Sequence, residues 1–295
     1  MALASALLAP AVSHAQISCT REGLKAAADL SIAAQAHGYE RLTQEYTTGS
    51  GIAAGGFLVG LPVSRRMSYV ENFDTSSRSR LIDKPLKIDR HLSLLDTARC
   101  ETYTEGLVSD KADPYALGTR LHLGNARVTE METMWSAPGY RGFDIDGYLR
   151  NSSAEDWGAI PAAGRDTRAT LESAANAYLD ALLAGKADVM PWGFPCDRTA
   201  ADGSCQAGVP AGTVNISNRH FVVDETIGAV AVLCTFGVAP VSGRIRTPDA
   251  HLFRVENGKV RFVHAVTHFP DAADGSAISD QAKAPAPVKG PAPQN

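Results

Sequence analysis

The chain has 295 residues, of which 44% are hydrophobic and 20% are charged, and its formal net charge is −4. This length suits one large domain or two ordinary ones. Lys and Arg form no run or stripe, which argues against nucleic acid as a partner, and no apolar run is long enough to span a bilayer.

The first residues, MALASALLAPAVSHAQ, are apolar and end in small side chains. This pattern predicts a secretory signal peptide over residues 1–15, although its basic n-region is weak; a disordered start is the alternative. Asn151-Ser-Ser and Asn215-Ile-Ser match the acceptor pattern for N-glycosylation, which fits a secreted protein.

The five cysteines are expected to pair in an oxidising compartment. Cys196 and Cys205 flank a polar, Gly-containing loop, so we predict a short disulfide between them and a second one between Cys19 and Cys100. Cys234 lies in an apolar stretch and is predicted to be a buried free thiol. Sequence alone does not fix this connectivity.

Two similar helices are predicted, one in CTREGLKAAADLSIAAQAHG from residue 19 and one in DTRATLESAANAYLDALLAGK from residue 166. In each, Thr-Arg precedes a Leu that begins an apolar stripe of helical period. Asp166 or Thr167 is a natural N-cap of the second helix, and Gly185 is a natural stop.

Strand patterns also occur twice. Residues 90–106 and 219–237 both begin with Arg-His and run into apolar strands, and residues 121–135 and 253–269 both read as strand, tight turn, strand. Asn257-Gly258 is a strong hairpin signal. The repeated order predicts an internal duplication, although hairpins of unrelated β proteins can look alike.

The predicted fold class is α+β, with two units that each pack N-terminal helices on a curved antiparallel sheet and dock as a pseudo-dimer. The first unit spans residues 16–136 and the second 166–270. Residues 137–165 form a connector expected on the surface of the halves, and the Ala/Pro-rich residues 271–295 form a disordered tail.

This helix-plus-sheet pattern, ending in ENGKVRFVHAVTH, resembles the SnoaL-like branch of the NTF2-like superfamily. AANAYLDALLAGK, PWGFPCDRT and HLFRVENGKVRFVHAVTHF carry the similarity in the second half, and YVENFD and ARVTEMETMW carry it in the first. As a whole, the chain is similar to secreted fungal proteins of unknown function with tandem SnoaL-like units. The resemblance implies cones that each enclose an apolar cavity with acid–base residues inside. Superfamily members include dehydratases, isomerases and polyketide cyclases, but also non-catalytic binding and scaffold domains.

The last predicted strand, KVRFVHAVTHF, supplies the leading catalytic candidates. Strand alternation places Val260, Phe262, His264, Val266 and His268 on one face. If that face lines a cavity, desolvation keeps His264 neutral near pH 7 and suited to proton transfer. The alternative for His264 is a structural histidine bonded to a backbone carbonyl.

The matching strand of the first half places Glu132 in the position of His264. A carboxylate inside such a cone would have a raised pKa and could serve as general acid or base. The alternative is a surface ladder or a salt bridge to Arg127 or Arg120.

His251 and Arg254 lie on the preceding strand and face opposite ways, so either could join the cavity. An inward Arg would stabilise an enolate or a carboxylate. The resemblance implies that Arg198 lies near the cavity mouth and that Tyr69 holds the corresponding position in the first half, where its hydroxyl could bind a substrate carbonyl.

Arg90-His91 and Arg219-His220 open matching strands. Their recurrence favours a structural role, with an arginine paired to Asp96 or Asp224.

These observations predict a cofactor-free enzyme that dehydrates, isomerises or cyclises a small apolar molecule, such as a polyketide or terpenoid intermediate of secondary metabolism. His264, Glu132 and His268 are the catalytic candidates, and the substrate contacts are Tyr69, Arg254, His251, Phe262 and Arg198. The alternative is a secreted non-catalytic small-molecule-binding or interaction protein.

No serine elbow, phosphate loop or dinucleotide fingerprint is present. CxxC, HExxH and tight His/Cys clusters are likewise absent, so no metal is expected. The oligomeric state stays open, with a homodimer among the alternatives.

Overall fold

The computed structural model describes residues 17–38, 57–58, 61–73, 81–140, 143–186, 189–198, 214–238 and 246–268. The predicted signal peptide and the predicted C-terminal tail both lie outside these ranges.

The helices are α1 (Arg21–His37), α2 (Ile145–Ala154) and α3 (Arg168–Ala184). Thr20 caps α1 by accepting a hydrogen bond from the backbone N–H of Gly23, and Thr167 caps α3 in the same way. Gly185 ends α3 in the left-handed conformation, as its position predicts. Within the described ranges, no helix is long and apolar enough to cross a membrane.

The first sheet, as described, has six strands in the order β1-β2-β6-β5-β4-β3. Strand β2 pairs parallel to β6, and the other neighbours are antiparallel. The strands are β1 (Phe57–Leu58), β2 (Leu61–Glu71), β3 (Arg90–Asp96), β4 (Glu101–Val108), β5 (Tyr115–Gly124) and β6 (Arg127–Ser136).

The second sheet, as described, has five strands in the order β7-β11-β10-β9-β8, with β7 parallel to β11. With β1 set aside, this order matches that of the first sheet strand for strand. The chain is therefore an α+β protein with two mixed sheets and few helices. The strands are β7 (Trp192–Arg198), β8 (Val214–Asp224), β9 (Ala229–Val238), β10 (Arg246–Glu256) and β11 (Lys259–Thr267).

A β-bulge interrupts the last hairpin of each sheet at an equivalent place. In the second sheet the extra residue is Arg261, and it reverses the alternation of side chains beyond it. Val260 therefore packs with Val263 in the core beneath α3, whereas Phe262 and His264 lie on the opposite face. The prediction that Val260 shares a face with His264 is wrong for this reason.

Three of the hydrophobic clusters in the described residues hold the layers together. Helix α1 packs on the first sheet through Leu24 and Leu121, and α3 packs on the second through Tyr178 and Phe253. The faces turned away from these helices meet in a third core that includes Leu94, Tyr103, Leu252 and Val266. Removal of these apolar faces from water favours the packing of the two sheets on each other.

Within the described residues, only a small space lies between α1 and the strands on the helix-covered side of the first sheet. The space bounded by Ser31, Gln35, Thr104 and Met131 has a volume of about 10 Å³. A space of this size holds about one water molecule. The side chains of α1 and the sheet fill this region.

The connector enters the interior instead of lying only on the surface. Tyr148 of α2 is 2% exposed, and its hydroxyl donates to the backbone carbonyl of Ala265. The side chain of Glu155, just after α2, is also 2% exposed. Residues 143–165 therefore contribute to the contact between the two sheets.

Two reciprocal contacts join the halves. Arg21 of α1 binds Asp224 of β8 at 2.6 Å, and Arg168 of α3 binds Asp96 of β3. Asp224 also accepts the backbone N–H of Leu95, and Asp96 accepts that of Val223. Both aspartates are 1% exposed. Each half therefore supplies the charge and the backbone donor that the buried acid of the other half needs.

The cysteines follow the predicted pattern where the structure describes them. A disulfide joins Cys19, just before α1, to Cys100, between β3 and β4. Cys234 is a buried free thiol on β9. Cys196 on β7 is disulfide-bonded, and Cys205, its predicted partner, lies outside the described residues.

Candidate functional site

His264 lies between two carboxylates that come from distant parts of the chain. Its Nδ1 atom is 2.6 Å from Oε1 of Glu105 on β4, and its Nε2 atom is 2.6 Å from Oε2 of Glu155. The side chain of His264 is 1% exposed, that of Glu105 is 4% exposed and that of Glu155 is 2% exposed. We call this group the Glu–His–Glu cluster.

The local structure explains how both acids reach the interior. Strand β4 lies between β5 and β3, and all eight of its residues are buried. Both faces of β4 are therefore packed against other parts of the protein, and the side chain of Glu105 is buried. The backbone leaves the helical conformation at Glu155, which caps α2. Trp157 then donates its indole N–H to Oε2 of Glu155 at 2.9 Å and holds that carboxylate in place.

The two carboxylates determine the charge of the ring. Burial opposes the charged form, but Glu105 and Glu155 outweigh it and raise the pKa of His264 to about 10. The ring is therefore an imidazolium at neutral pH, and both of its N–H groups donate. The expectation of a neutral His264 is wrong because sequence alone did not reveal its acidic neighbours.

A cavity of about 150 Å³ lies beside the Glu–His–Glu cluster. A cavity of this volume can hold a molecule about the size of benzene. Oε2 of Glu105 and Oε1 of Glu155 are buried and have no hydrogen-bond partner within the part of the chain described here. Both residues line the cavity, whose wall is formed by Arg90, His91, Leu92, Glu105, Leu107, Ser152, Glu155, Trp157 and His264.

Arg90 supplies positive charge at this cavity. One of its guanidinium nitrogens donates to Oγ of Ser153 at 2.8 Å, and another donates to the backbone carbonyl of Ser152. The predicted pairing of Arg90 with an aspartate of either half is therefore wrong. His91 is exposed, which places it on the solvent side of the cavity.

His268, the second predicted catalytic histidine, lies elsewhere. Its Nδ1 atom is 2.7 Å from Nδ2 of Asn72 and 3.0 Å from the carbonyl oxygen of Trp135. Its ring packs against Trp135 and Tyr140. Burial lowers the pKa of His268. These contacts tie the end of the second sheet to the first half, and His268 does not line the 150 Å³ cavity.

Glu132, the predicted acid of the first half, takes part in an ion-pair network instead of lining this cavity. Arg120 of β5 donates to Oε2 of Glu132 at 3.2 Å, to Glu130 at 2.8 Å and to Glu101 at 2.8 Å. Nε2 of His220 lies 2.9 Å from Glu101. The structure therefore agrees with the alternative interpretation of Glu132, in which it forms a salt bridge to Arg120.

Tyr69 and Arg254, two predicted substrate contacts, make structural contacts. The hydroxyl of Tyr69 donates to Glu71 at 2.7 Å. Arg254 is 4% exposed and donates to the backbone carbonyls of Gly158 and Ile227, so it anchors the connector. As predicted, Arg254 lies on the opposite face of β10 from His251.

Phe262 and His251, two further predicted substrate contacts, are not part of the described cavity wall. Phe262 packs against Trp157, with 5.7 Å between ring centroids, and so lies next to the cavity. His251 lies beneath α3, where its ring is 5.8 Å from that of Tyr178. Arg198 ends β7, and its side chain is outside the described part of the structure.

Sequence reasoning did not select Glu105 or Glu155. A signal for Glu105 was present, because an acid within a strand that is covered on both faces must find a partner inside. Glu155 had no comparable signal, since SSAEDWG reads as a polar connector.

Comparison with known families gives a match over the second half of the chain. A family model described as "Domain of unknown function (DUF8021)" matches residues 164–267, from just before α3 to the end of β11. This segment contains His264 but neither of its carboxylate partners. No curated protein matches the chain significantly.

Proposed function

We propose that this protein is a cofactor-free acid–base enzyme that acts on a small apolar molecule in the cavity beside the Glu–His–Glu cluster. The reaction class is that of a dehydratase, isomerase or cyclase. The observation that carries the proposal is a pair of buried carboxylate oxygens, on Glu105 and Glu155, that have no partner among the described residues and belong to residues lining a cavity.

The proton acceptor in this proposal is Glu105. Both nitrogens of His264 already bind carboxylates, and its pKa of about 10 keeps the ring protonated at neutral pH. The imidazolium therefore positions Glu105 through Oε1 and leaves Oε2 available to a substrate proton. Because Glu105 lies on a central strand, its position relative to the cavity is well defined.

The remaining wall supports the same chemistry. Leu92, Leu107 and Trp157 provide apolar contact for the body of the substrate. Removal of a proton next to a carbonyl group produces an enolate, whose oxygen carries negative charge. The guanidinium of Arg90, which lines the cavity as the His264 imidazolium does, would stabilise this charge.

We further propose that the halves are two NTF2-like units arranged as a pseudo-dimer. Supporting this are the shared strand order, the β-bulge at equivalent places and the reciprocal aspartate–arginine contacts. Reciprocal contacts of this kind are typical of two-fold interfaces. In this arrangement the working cavity lies where the two units meet, not inside either cone.

Secretion is part of the proposal. The Cys19–Cys100 disulfide fits an oxidising compartment, and the apolar N-terminal sequence fits a signal peptide. Asn215 is exposed at the start of β8 and is the better placed of the two glycosylation acceptors, because Asn151 is half-buried within α2.

The test uses a carbonyl probe, since the natural substrate is unknown. The protein is incubated with acetophenone in D₂O, and exchange of the methyl protons is followed by NMR. Wild type is expected to exchange them faster than buffer, because Glu105 takes a proton from the methyl carbon and the enolate then takes up a deuteron. Glu105→Gln should abolish this excess, whereas Glu22→Gln, at an exposed position of α1, should retain it.

A second candidate is a binding protein without turnover. It is favoured by the engagement of both His264 nitrogens, which leaves the ring no free atom for catalysis. Acetophenone would then shift the NMR signals of Trp157 without any methyl exchange above buffer. Absence of both binding and exchange contradicts both candidates for carbonyl compounds of this size.

A further inference from the structure

A second cluster of reactive side chains lies on the other face of the second sheet. Cys234 of β9 is directly opposite Asp249 of β10, and His251 follows two residues later. Residues two apart on a strand share a face, so all three side chains point the same way. The ring of His251 lies 5.8 Å from that of Tyr178 on α3, which places this group beneath α3 and away from His264.

The metal-binding atoms of this group converge. One ligand atom from each of Cys234, Asp249 and His251 lies within 4.8 Å of the other two. Oδ2 of Asp249 is 3.7 Å from Sγ of Cys234 and forms a close ion-pair contact with Nδ1 of His251. Thr267 donates its hydroxyl to the other oxygen, Oδ1, and so fixes the orientation of the carboxylate.

The group is enclosed by protein. Cys234 and Asp249 are 0% exposed and His251 is 3% exposed. Among the described residues, no Lys or Arg lies within salt-bridge distance of Asp249, and its neighbour His251 is charged only if protonated. A carboxylate buried in this way requires compensating positive charge. A bound cation would supply it.

We propose that Cys234, Asp249 and His251 bind a thiophilic divalent cation, with zinc as the best fit. A thiolate, an imidazole and a carboxylate are the ligands that zinc takes in proteins. A thiolate ligand disfavours magnesium and calcium, which prefer oxygen. The site is closed to solvent, so its role is structural, and it braces β9, β10 and the helix above them.

Binding includes a proton step. Burial and the neighbouring Asp249 raise the pKa of the Cys234 thiol well above its usual range, so the metal-free side chain carries its proton. The cation forms a bond to sulfur, and the S–H proton leaves to solvent. The site is not evident from a short stretch of sequence, because Cys234 lies on β9 whereas Asp249 and His251 lie on β10.

The first test examines the full-length chain with its disulfides intact. Because the site is enclosed, the protein is unfolded with chelator and then refolded with Co²⁺ or without it. We expect one cobalt ion per chain, a thiolate-to-cobalt absorption band in the near ultraviolet, proton release and a higher Tm. Cys234 is the free thiol of the described residues, so the wild-type band reports on it directly.

Variants then assign the ligands. Cys234→Ser should remove the absorption band, and Asp249→Asn should weaken cobalt binding strongly. Thr267→Val leaves all three ligands in place and should weaken binding by about 10–100-fold, as expected for loss of a carboxylate-orienting hydrogen bond. His37→Asn removes an exposed imidazole at the end of α1 and should change nothing.

Two results would overturn the metal site. One is a wild-type protein that refolds to its native circular dichroism spectrum with cobalt and shows no charge-transfer band. The other is a band that persists in Cys234→Ser. Either result means that Asp249 and His251 form a buried ion pair without a metal. The first result does not depend on any variant being stable, because it uses wild type alone.

Discussion

Asp96 of β3 and Asp224 of β8 occupy equivalent places in the two sheets, and each binds the arginine that begins the helix of the opposite half. Each aspartate also accepts a backbone N–H from the opposite edge strand. Both carboxylates are almost fully buried. The contact between the halves therefore depends on two buried acids that each bind an arginine and a backbone N–H of the other half.

Replacement of Asp96 tests this contact. Asp96→Asn removes the charge that Arg168 neutralises, and it should lower the free energy of unfolding by about 2 kcal/mol, the usual value of a buried hydrogen bond to a charged group. Urea denaturation measures the change. Asp29→Asn breaks the exposed pair with Lys25 and should cost at most about 0.5 kcal/mol. Equal costs for the two variants would contradict the assigned role of Asp96.

His264 predicts a loss of stability at alkaline pH. Its folded pKa of about 10 lies above the ordinary value of 6.5, so its contribution is complete below pH 6.5 and disappears as the pH rises through 10. The loss across this window is on the order of 4 kcal/mol. Urea unfolding at several pH values measures it, and His264→Gln should flatten the curve. A wild-type free energy of unfolding that does not change over this window would contradict an imidazolium at His264 held between Glu105 and Glu155.

His268 predicts the opposite behaviour on the acid side. Burial lowers its pKa below 6.5, so its contribution to stability is present above pH 6.5 and is lost as the pH falls through the folded value. In an NMR titration of the ring protons, His268 should titrate below 6.5 while His264 stays protonated. Titration of His268 above 6.5 would show that its ring is not desolvated at the junction with Trp135.

The Cys19–Cys100 disulfide closes a long loop, since its two cysteines have a sequence separation of 81. Its removal in the double variant Cys19→Ser/Cys100→Ser should lower the free energy of unfolding by about 4 kcal/mol, mainly by freeing the unfolded chain. Urea unfolding without reductant compares this variant with wild type, so the bond at Cys196 stays intact in both. An unchanged unfolding midpoint would contradict the expected role of this bond.

Local features of the fold were predictable from sequence. The Thr-Arg pairs mark the starts of α1 and α3, and Gly185 marks the end of α3. The Asn257-Gly258 turn has positive φ at both residues, as its hairpin signal predicts. These features depend on a few neighbouring residues, so a short stretch of sequence contains the necessary information.

The candidate site was less predictable, because its parts come together only in the folded chain. Glu105 and His264 are 159 positions apart, and the sequence of neither strand indicates that the two residues are in contact. The bulge at Arg261 also reverses the side-chain alternation, which a simple two-residue period cannot anticipate. The charge of His264 follows from its neighbours, so it could not be assigned before they were known.

The separation of Glu105 from His264 has a consequence for synthesis on the ribosome. The first sheet is complete long before Arg168 and His264 are translated, so Asp96 and Glu105 lack these partners until late in synthesis. Such charges are costly to bury without partners, and this cost delays the final packing of the early half. The last strand to emerge thus completes both halves at once, and the nascent chain should acquire its full resistance to proteases in a single late step.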